Sequence, residues 1–224
     1  MREFPHVFEP DGNAILLSDY EMKGHWNQKF FRNENPIILE LGCGRGEYTV
    51  QLAKLCPDFN FIGVDIKGAR MWKGAQESLR LKLGNVAFLR CRIEFLFRMF
   101  ANNEIAEIWI TFPDPQARKP RKRLTSSRFI NMYMDMLNPG GRIHLKTDSP
   151  ILHEYTKSLL KWNGLVPDRC THDLYVSGLV DEVLSIRTHY EAGFLQIGKP
   201  ITYLSFVPVH NHRWTEQRDE NNHP

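Results

Sequence analysis

The sequence predicts an α/β fold in which a mainly parallel sheet carries helices on both faces. Short apolar runs alternate with segments of helical periodicity, and a glycine-rich turn directly follows the first apolar run. No internal repeat interrupts this alternation. Because crossovers between parallel strands are right-handed, the alternation predicts a doubly wound topology. The chain of 224 residues is long enough for one such domain.

The first two strand–helix pairs are recognised by their apolar pattern and by the residues that end them. Residues 36–41 form an apolar run that enters the turn Gly42–Gly46, which predicts a buried strand followed by a tight turn. A helix is expected over 48–55, where a Cys-Pro pair ends it, and a second strand over 59–65. Apolar residues at helical spacing then predict a helix over 68–82, which a Gly-Asn pair ends.

The next elements continue the alternation. Residues 86–89 and 107–112 are apolar runs that predict strands, and the segment 94–100 between them predicts a helix. A further helix is expected over 128–137, because an Asn-Pro-Gly-Gly stretch follows it. A fifth strand is expected over 142–145.

Two elements complete the predicted domain. A helix is expected over 150–162, and the segment 191–207 is expected to return antiparallel, since residues 201–206 alternate in strand fashion. The predicted organisation is an N-terminal arm at 1–35, the main domain at 36–209 and a polar tail at 210–224, expected to be frayed. From its polar composition, the arm is either a mobile segment or an early helix.

Charge and cysteine content narrow the class of protein. The net charge of +3 is too small to indicate a partner, so the location of the positive charges matters more. The four cysteines are scattered, with no Cys-x-x-Cys pair and no histidine at zinc-ligand spacing, which predicts reduced thiols and no bound metal. The sequence has neither a signal-peptide pattern nor a stretch of membrane-spanning length, so we expect a cytoplasmic protein without a membrane partner.

The glycine-rich turn predicts a cofactor site. In doubly wound folds, ligands bind beyond the carboxyl ends of the strands, where glycines let the backbone approach a ligand closely. Asp65 ends the next strand, where its carboxylate could accept hydrogen bonds from two ribose hydroxyls. The spacing Gly-x-Gly-x-Gly differs from that of dinucleotide binders, and Glu40 would repel a pyrophosphate. Glu40 would instead suit a cationic amino-acid group, such as that of S-adenosylmethionine. The alternative is a tight turn without a ligand.

A second candidate site follows the fourth predicted strand. Asp114 lies between two prolines, which restrict the backbone and fix the direction of its carboxylate. The run Arg118–Arg123 contains five basic residues in six, and no acidic residue occurs from 115 to 134. Such a run is either a solvated surface or, beside a strand end at the active edge, a grip for phosphates.

These motifs, in their order, resemble the tRNA (guanine-N7)-methyltransferase family over residues 36–206. The resemblance is carried by Glu40-Leu41-Gly42-Cys43-Gly44-Arg45-Gly46, Gly63-Val64-Asp65, Phe112-Pro113-Asp114-Pro115, Lys122-Arg123-Leu124, Thr147-Asp148 and Thr188-His189-Tyr190-Glu191, with Phe194, Gly198 and Pro200 beyond. The Phe-Pro-Asp-Pro element with its basic run is quite specific. Its combination with the late Thr-x-x-Glu is more so.

The resemblance implies a Rossmann-like class I methyltransferase fold, with a seven-stranded, mainly parallel sheet and an antiparallel last strand. It implies methyl transfer from S-adenosylmethionine to N7 of a tRNA guanosine, in the variable loop, with Asp114 at the catalytic centre. With the motifs above, the expected cofactor-binding residues are Glu40, Gly42, Gly44, Gly46, Asp65, Ile93, Glu94 and Asp114. The expected tRNA-binding residues are Arg118, Arg121, Lys122, Asp148, Thr188 and Glu191. The protein is expected to be a monomer or a homodimer.

Two positions depart from the family pattern. Arg92 stands where the family usually has an aspartate that serves the adenine end of the cofactor, so either Glu94 or backbone groups near Ile93 are expected to take that role. Gln116 stands where the family tends to have tryptophan. Asp148 also has a second interpretation, as the N-cap of the helix that follows it.

Three other functions remain open from the sequence. A nucleotide-dependent oxidoreductase would need the longer glycine spacing and no acid at position 40. A non-catalytic RNA-binding relative would keep the fold, and Arg92 is the residue that favours it. A methyltransferase that acts on another RNA or on a small molecule is the third, although the basic run favours a polyanion.

Overall fold

A computed structural model describes residues 3–209 and 212–217 of the chain. Its strands are Val7–Phe8 (β1), Ile37–Leu41 (β2), Asn60–Asp65 (β3), Val86–Arg90 (β4), Ile105–Thr111 (β5), Leu137–Thr147 (β6), Arg169–Thr171 (β7) and Thr202–Phe206 (β8). Its α-helices are Ala14–Leu17 (α1), Glu47–Leu55 (α2), Gly68–Arg80 (α3), Leu96–Met99 (α4), Ser127–Met136 (α5), Pro150–Trp162 (α6) and His189–Gln196 (α7). A π-helical turn covers Trp26–Phe31, and short 3₁₀ turns cover Ile93–Phe95, Pro120–Lys122 and Leu174–Val176.

The strands form one sheet in the order β1-β4-β3-β2-β5-β6-β8-β7. Neighbouring strands from β1 to β6 in this order are parallel, and β8 is antiparallel to both β6 and β7. The predicted α/β fold and its antiparallel last strand are therefore confirmed. The sheet has eight strands rather than seven, because two residues of the N-terminal arm pair with β4 as an extra edge strand.

The hydrophobic core lies on both faces of the sheet. Successive residues of a strand alternate between two clusters, as Ile38 and Leu39 do in β2. One cluster includes Tyr48 and Met71 from α2 and α3, and the other includes Ile130 and Leu152 from α5 and α6. Because both faces are covered, the central strands are continuous apolar runs, which is why the sequence made them easy to recognise.

The predicted helices at 48–55, 68–82, 128–137 and 150–162 correspond to α2, α3, α5 and α6 within two residues at each end. The segment 191–207 differs from its prediction, since its first part belongs to helix α7 and only its end forms β8. A capping box formed by Thr188 and Glu191 starts α7.

The N-terminal arm packs against the domain. Trp26 is fully buried and donates a hydrogen bond from its indole nitrogen to the carbonyl oxygen of Met99 at 3.0 Å. Its ring stacks on Phe100 at a centroid distance of 5.6 Å, and Phe8 meets it edge-on at 4.9 Å. The arm therefore adds aromatic surface to one cluster of the core.

Part of the polar tail also contacts the domain. Trp214 is buried and stacks on Phe206 of β8. Residues 210, 211 and 218–224, which were expected to be frayed, lie outside the described residues. Among the residues described, we find no helix with the length and hydropathy needed to cross a membrane.

Candidate active site

The glycine-rich turn closes over the end of β3. The backbone N–H of Gly42 donates to the carbonyl oxygen of Val64 at 2.8 Å, so the turn is fixed to the neighbouring strand. The Asp65 carboxylate accepts from the backbone N–H of Gly44 at 2.9 Å and from that of Lys67 at 2.8 Å. Asp65 is thereby held beside the turn, as the sequence predicted.

A cavity of about 360 Å³ opens beside this turn. Four of the predicted cofactor residues line it, namely Gly42, Asp65, Ile93 and Glu94. The other lining residues are Ile66, Cys91, Arg92, Gln116, Lys122, Leu124 and Phe129. The volume lies at the lower end of the range for small-molecule sites, roughly 300–1,000 Å³. Apolar walls for a flat base, combined with carboxylates that accept from hydroxyl groups, fit a nucleoside.

The glycines of the turn serve different purposes. Gly42 has a φ of +77°, and a Cβ added there would meet no atom within 4 Å, so the backbone faces open space. At Gly46 a Cβ would lie 2.5 Å from the Phe88 ring and 3.2 Å from Gly74, which means that this glycine lets α2 pack against α3 and β4. The predicted cofactor residues outside the lining of the cavity are Glu40, Gly44, Gly46 and Asp114.

Glu40 is a buried carboxylate near the end of β2, with only 3% of its surface exposed. It accepts hydrogen bonds from the backbone N–H and the hydroxyl of Thr49, and from the hydroxyl of Thr111 at 2.6 Å. Burial raises the pKa of Glu40 to about 7, and the bonds from Thr111 and Thr49 offset only part of that rise. Since these partners are neutral, a positive group placed nearby would favour the ionised form. The side-chain chemistry therefore fits the cationic end of a cofactor.

Arg92, which departs from the family pattern, and Glu94 both line the cavity. A guanidinium nitrogen of Arg92 lies 3.4 Å from a carboxylate oxygen of Glu94. Burial opposes ionisation of Glu94, but its own backbone N–H and the Arg92 guanidinium outweigh burial and lower its pKa. Glu94 is therefore an ionised acceptor on the cavity wall, and Arg92 orients it.

The turn that carries Asp114 is strained. Phe112 has a φ of +47° and Gln116 a φ of +46°, and such left-handed conformations cost on the order of 1–3 kcal/mol each for residues other than glycine. The Phe112 N–H donates to the carbonyl oxygen of Lys146 at 2.8 Å, and its ring contacts Phe194 of α7. The exposed Asp114 carboxylate accepts from the N–H of Gln116 at 2.9 Å, and Gln116 itself lines the cavity.

The basic run divides into exposed and buried members. Lys119, Arg121 and Lys122 are exposed and line a second, larger groove of about 1,030 Å³. Lys122 lines both this basic groove and the smaller cavity. Arg118 is exposed and outside the lining of either one. Arg123 also lines the basic groove, but it is 94% buried and offers little of its surface to a partner.

Arg123 instead holds the Asp114 turn. Its Nε donates to the carbonyl oxygen of Pro115 at 3.1 Å. Its guanidinium carbon lies 4.3 Å from the centre of the Tyr155 ring, within the range of a cation–π contact. One member of the basic run is thus a structural residue.

Two predicted tRNA-binding residues form the start of α7. The Thr188 hydroxyl accepts from the backbone N–H of Glu191 at 3.2 Å, and the Glu191 carboxylate accepts from the N–H of Thr188 at 3.4 Å. Glu191 is fully buried and also contacts the ammonium of Lys146 at 2.8 Å and the hydroxyl of Tyr175 at 2.6 Å. A direct contact between this carboxylate and a nucleotide would require α7 to move.

Asp148 follows β6 and forms an ion pair with Lys199, just beyond α7. Its interpretation as a helix cap is wrong. Ser149 is the N-cap of α6, because its hydroxyl accepts from the backbone N–H of Leu152 at 3.3 Å. Asp148 is partly exposed and lies at the carboxyl end of its strand, on the same edge of the sheet as the glycine-rich turn.

Lys146 was not predicted from the sequence. Its ammonium is fully buried and donates to the carbonyl oxygens of Leu184 at 3.0 Å and Ile186 at 2.8 Å, besides contacting Glu191. Burial lowers its pKa, and the Glu191 carboxylate opposes part of that shift. A lysine directly after the predicted strand at 142–145, and directly before Thr147-Asp148, was the signal that could have identified it.

One cluster has side chains that could ligate a metal ion. The ligand atoms of His153, Glu154 and His172 lie within 4.8 Å of one another. The Lys157 ammonium lies 3.2 Å from the same Glu154 oxygen and already supplies a positive charge there. His153, Glu154 and His172 are not among the residues that line the cavity or the basic groove. The expectation that the site needs no metal stays a prediction.

The fold is shared with solved methyltransferase structures of low sequence identity. An antibiotic-related methyltransferase superposes with a TM-score of 0.59 and 19% identity, over 80% of this chain and 90% of that chain. A 16S rRNA methyltransferase gives a TM-score of 0.59 and 16% identity, over 78% of this chain and 89% of that chain. At these identities the similarity shows the fold alone.

Sequence comparisons are more specific. The family model described as "Putative methyltransferase" matches residues 34–204. The tRNA (guanine-N(7)-)-methyltransferase of Porphyromonas gingivalis is 56% identical, over 92% of this chain and 86% of the relative. The enzyme of the same name from Bacteroides fragilis is 53% identical, over 92% of this chain and 82% of the relative. The one from Oceanobacillus iheyensis is 34% identical, over 85% and 89%. The chain therefore belongs to the tRNA (guanine-N7)-methyltransferase family.

Proposed function

We propose that this protein transfers a methyl group from S-adenosylmethionine to N7 of a guanosine in tRNA, and that the target lies in the variable loop. The observation that carries the proposal is the position of Lys122, which lines both the nucleoside-sized cavity and the basic groove. A methyl donor in the cavity and a polyanion in the groove would then be neighbours. The names of relatives that are up to 56% identical support the choice of tRNA and of N7.

The cofactor would be held by the walls of the cavity. Asp65 and Glu94 offer carboxylate oxygens to the ribose and adenine end, between the apolar side chains of Ile93 and Leu124. Glu40 offers the negative charge that the amino-acid end requires. When bound, S-adenosylmethionine supplies a methyl group on a positively charged sulfur.

Asp114 would orient the guanine and stabilise charge on it. Guanine N7 has a lone pair in the ring plane and carries no proton, so the reaction needs no general base at this atom. Methylation makes the purine cationic, and a carboxylate aimed at the base stabilises that developing charge. The same carboxylate can accept hydrogen bonds from N1–H and from the exocyclic amine. The strained turn between Phe112 and Gln116 keeps Asp114 in one direction, which favours alignment of donor and acceptor.

The exposed cations of the basic run would bind tRNA phosphates. Lys119, Arg121 and Lys122 lie along one groove, which suits a continuous phosphate backbone. Duplex RNA hides N7 in a deep and narrow major groove. The target guanosine must therefore be presented outside a regular helix, as nucleotides in structured loops are. This requirement agrees with a variable-loop target.

The test is incubation of the purified protein with unmodified tRNA and methyl-labelled S-adenosylmethionine, followed by nucleoside analysis. We expect label in 7-methylguanosine, which mapping by fragment digestion would assign to the variable loop. Label in a different nucleoside would favour a methyltransferase of another specificity. RNA binding without any transfer would favour the non-catalytic alternative.

Asp114→Asn separates catalysis from binding. We expect this variant to lose most methyl transfer and to retain affinity for S-adenosylhomocysteine, measured by calorimetry. Asp58→Asn, at another exposed aspartate, is the matched control and should behave as wild type. Near-normal turnover by the Asp114 variant would refute its role.

A further inference from the structure

The C-terminal segment 213–216, here called the clasp, is bound to α5 and α6 through specific contacts. The amide of Asn131 pairs with both the N–H and the carbonyl oxygen of Trp214, at 2.8 and 2.9 Å. The amide of Asn163 pairs in the same way with Thr215, at 3.0 and 3.1 Å. The two asparagine side chains therefore hydrogen-bond to the backbones of consecutive clasp residues, and the Trp214 ring is buried.

Glu216 makes the last of these contacts and caps the N-terminus of α5. Its carboxylate accepts from the backbone N–H of Ser127 at 2.9 Å. The Ser126 hydroxyl, which would normally cap this helix, donates instead to the carbonyl oxygen of Arg121 at 3.3 Å. The clasp thus supplies a cap that the helix itself lacks.

Glu216 is also connected to the Asp114 turn through contacts of Tyr155 and Arg123. Both of its carboxylate oxygens lie 2.9 Å from the Tyr155 hydroxyl, which donates to them. The Tyr155 ring carries the Arg123 guanidinium at 4.3 Å, and Arg123 donates to the carbonyl oxygen of Pro115 at 3.1 Å. Burial and the Glu216 carboxylate both raise the pKa of Tyr155, so its hydroxyl remains a donor. The side chains of Glu216, Tyr155 and Arg123 thus form a series of contacts from the clasp to the carbonyl group of Pro115, the residue after Asp114.

We propose that Glu216 and Tyr155 are positioning residues, which hold Arg123 against Pro115 and thereby fix the Asp114 turn and the basic run beside it. The turn needs such support because Phe112 and Gln116 have left-handed backbones. Its other contacts come from β6 and α7, on the Phe112 side. Arg123 contacts the segment after Asp114 at Pro115, and this segment carries Lys119, Arg121 and Lys122.

The first test does not depend on activity. Trypsin cleaves after exposed arginine and lysine residues, and Arg121 and Lys122 lie within the segment that the clasp supports. In Glu216→Gln the bond to a charged acceptor is weakened, and we expect cleavage at these residues to become about tenfold faster. Tyr155→Phe should give a similar increase, because it removes the hydroxyl and keeps the ring under Arg123. Glu77→Gln, which removes an exposed carboxylate on α3, is the control and should match wild type.

The second test rests on the proposed function. With tRNA and S-adenosylmethionine, we expect kcat of Glu216→Gln and Tyr155→Phe to fall about tenfold, since small misplacement of a catalytic group is costly. Affinity for S-adenosylhomocysteine should change less than about twofold, because neither residue lines the cofactor cavity. Unchanged kcat and unchanged cleavage in folded variants would overturn the proposal. If the variants are cleaved faster but the wild-type protein transfers no methyl group to tRNA, the proposed function is refuted. The positioning contact would then still stand.

Discussion

Glu40 allows a quantitative test of the site in the protein without cofactor. Its folded-state pKa of about 7 compares with an ordinary value of 4.5, and this difference corresponds to roughly 3 kcal/mol of free energy. The native state binds the proton more tightly than the unfolded chain, so this group makes the free energy of unfolding fall as the pH rises from about 4.5 to 7. Above that range, the cost of a buried, ionised carboxylate is fully present.

The perturbation is Glu40→Gln, which keeps the shape and hydrogen-bonding capacity of the side chain but cannot ionise. Between pH 5 and 8 we expect the free energy of unfolding of the variant to rise by about 2–3 kcal/mol relative to wild type. The Thr49 and Thr111 hydroxyls can rotate to accept from the new amide, which limits other effects of the change. Urea unfolding followed by circular dichroism at several pH values measures this difference.

A matched control distinguishes burial from a general charge effect. Glu77→Gln removes a carboxylate whose pKa is lowered by Arg80 at the surface, so its pH dependence should be small and opposite in sign. Parallel curves for wild type and Glu40→Gln would refute the reasoning, because they would mean that Glu40 is ionised in the folded protein without cost.

Three further predictions concern ligands and the buried ion pair. Affinity for S-adenosylhomocysteine, measured by calorimetry, should rise about tenfold from pH 6 to 8 in wild type, as Glu40 ionises, and should stay flat in Glu40→Gln. Lys146→Met should lower the free energy of unfolding in urea by about 3–5 kcal/mol, because it leaves the Glu191 carboxylate buried without its cation. Adding Glu191→Gln to that variant should recover part of the loss, and additive losses would contradict the pairing. Arg121→Ala with Lys122→Ala should reduce the slope of log affinity for tRNA against log salt by about 1.5, and an unchanged slope would exclude them from the phosphate path.

The fold could be predicted largely from the sequence because its central strands are buried on both faces. The runs around Leu39 and Ile62 are apolar apart from Glu40 and the two ends of β3, and such runs are recognised without any knowledge of their partners. The additional strand was not predictable in this way. β1 has two residues, too few for a pattern, and it exists because the arm packs its aromatic side chains onto the domain.

The position of the cavity beside the glycine-rich turn could also be predicted from the sequence. Gly42 follows β2 and Asp65 ends the adjacent β3, and the carboxyl ends of parallel strands meet at one edge of the sheet. The roles assigned to the cavity residues, to Asp114 and to the basic run stay predictions. Helix α7 was missed, although the Thr-x-x-Glu pattern that suggested a tRNA contact is also the pattern of a capping box.

Charge counting failed at Arg123 for a clear reason. Within a run of basic residues the sequence gives every member the same weight, whereas the structure buries this one against Tyr155. Tyr155 lies on α6 and Glu216 in the tail, and neither is close to Arg123 in the chain. A long-range aromatic and carboxylate environment of this kind leaves no local pattern.

The two borders of the sheet have a consequence for how molecules of this protein behave in concentrated solution. An open strand border presents unpaired N–H and carbonyl groups that a second molecule can join, and very short border strands reduce that hazard. One border here is β1, whose two residues cover Phe88 and Leu89 of the apolar β4, and the other is β7, with three residues. Val7 and Phe8 therefore protect the edge of β4, since they occupy the backbone positions at which two copies of β4 could otherwise pair and aggregate.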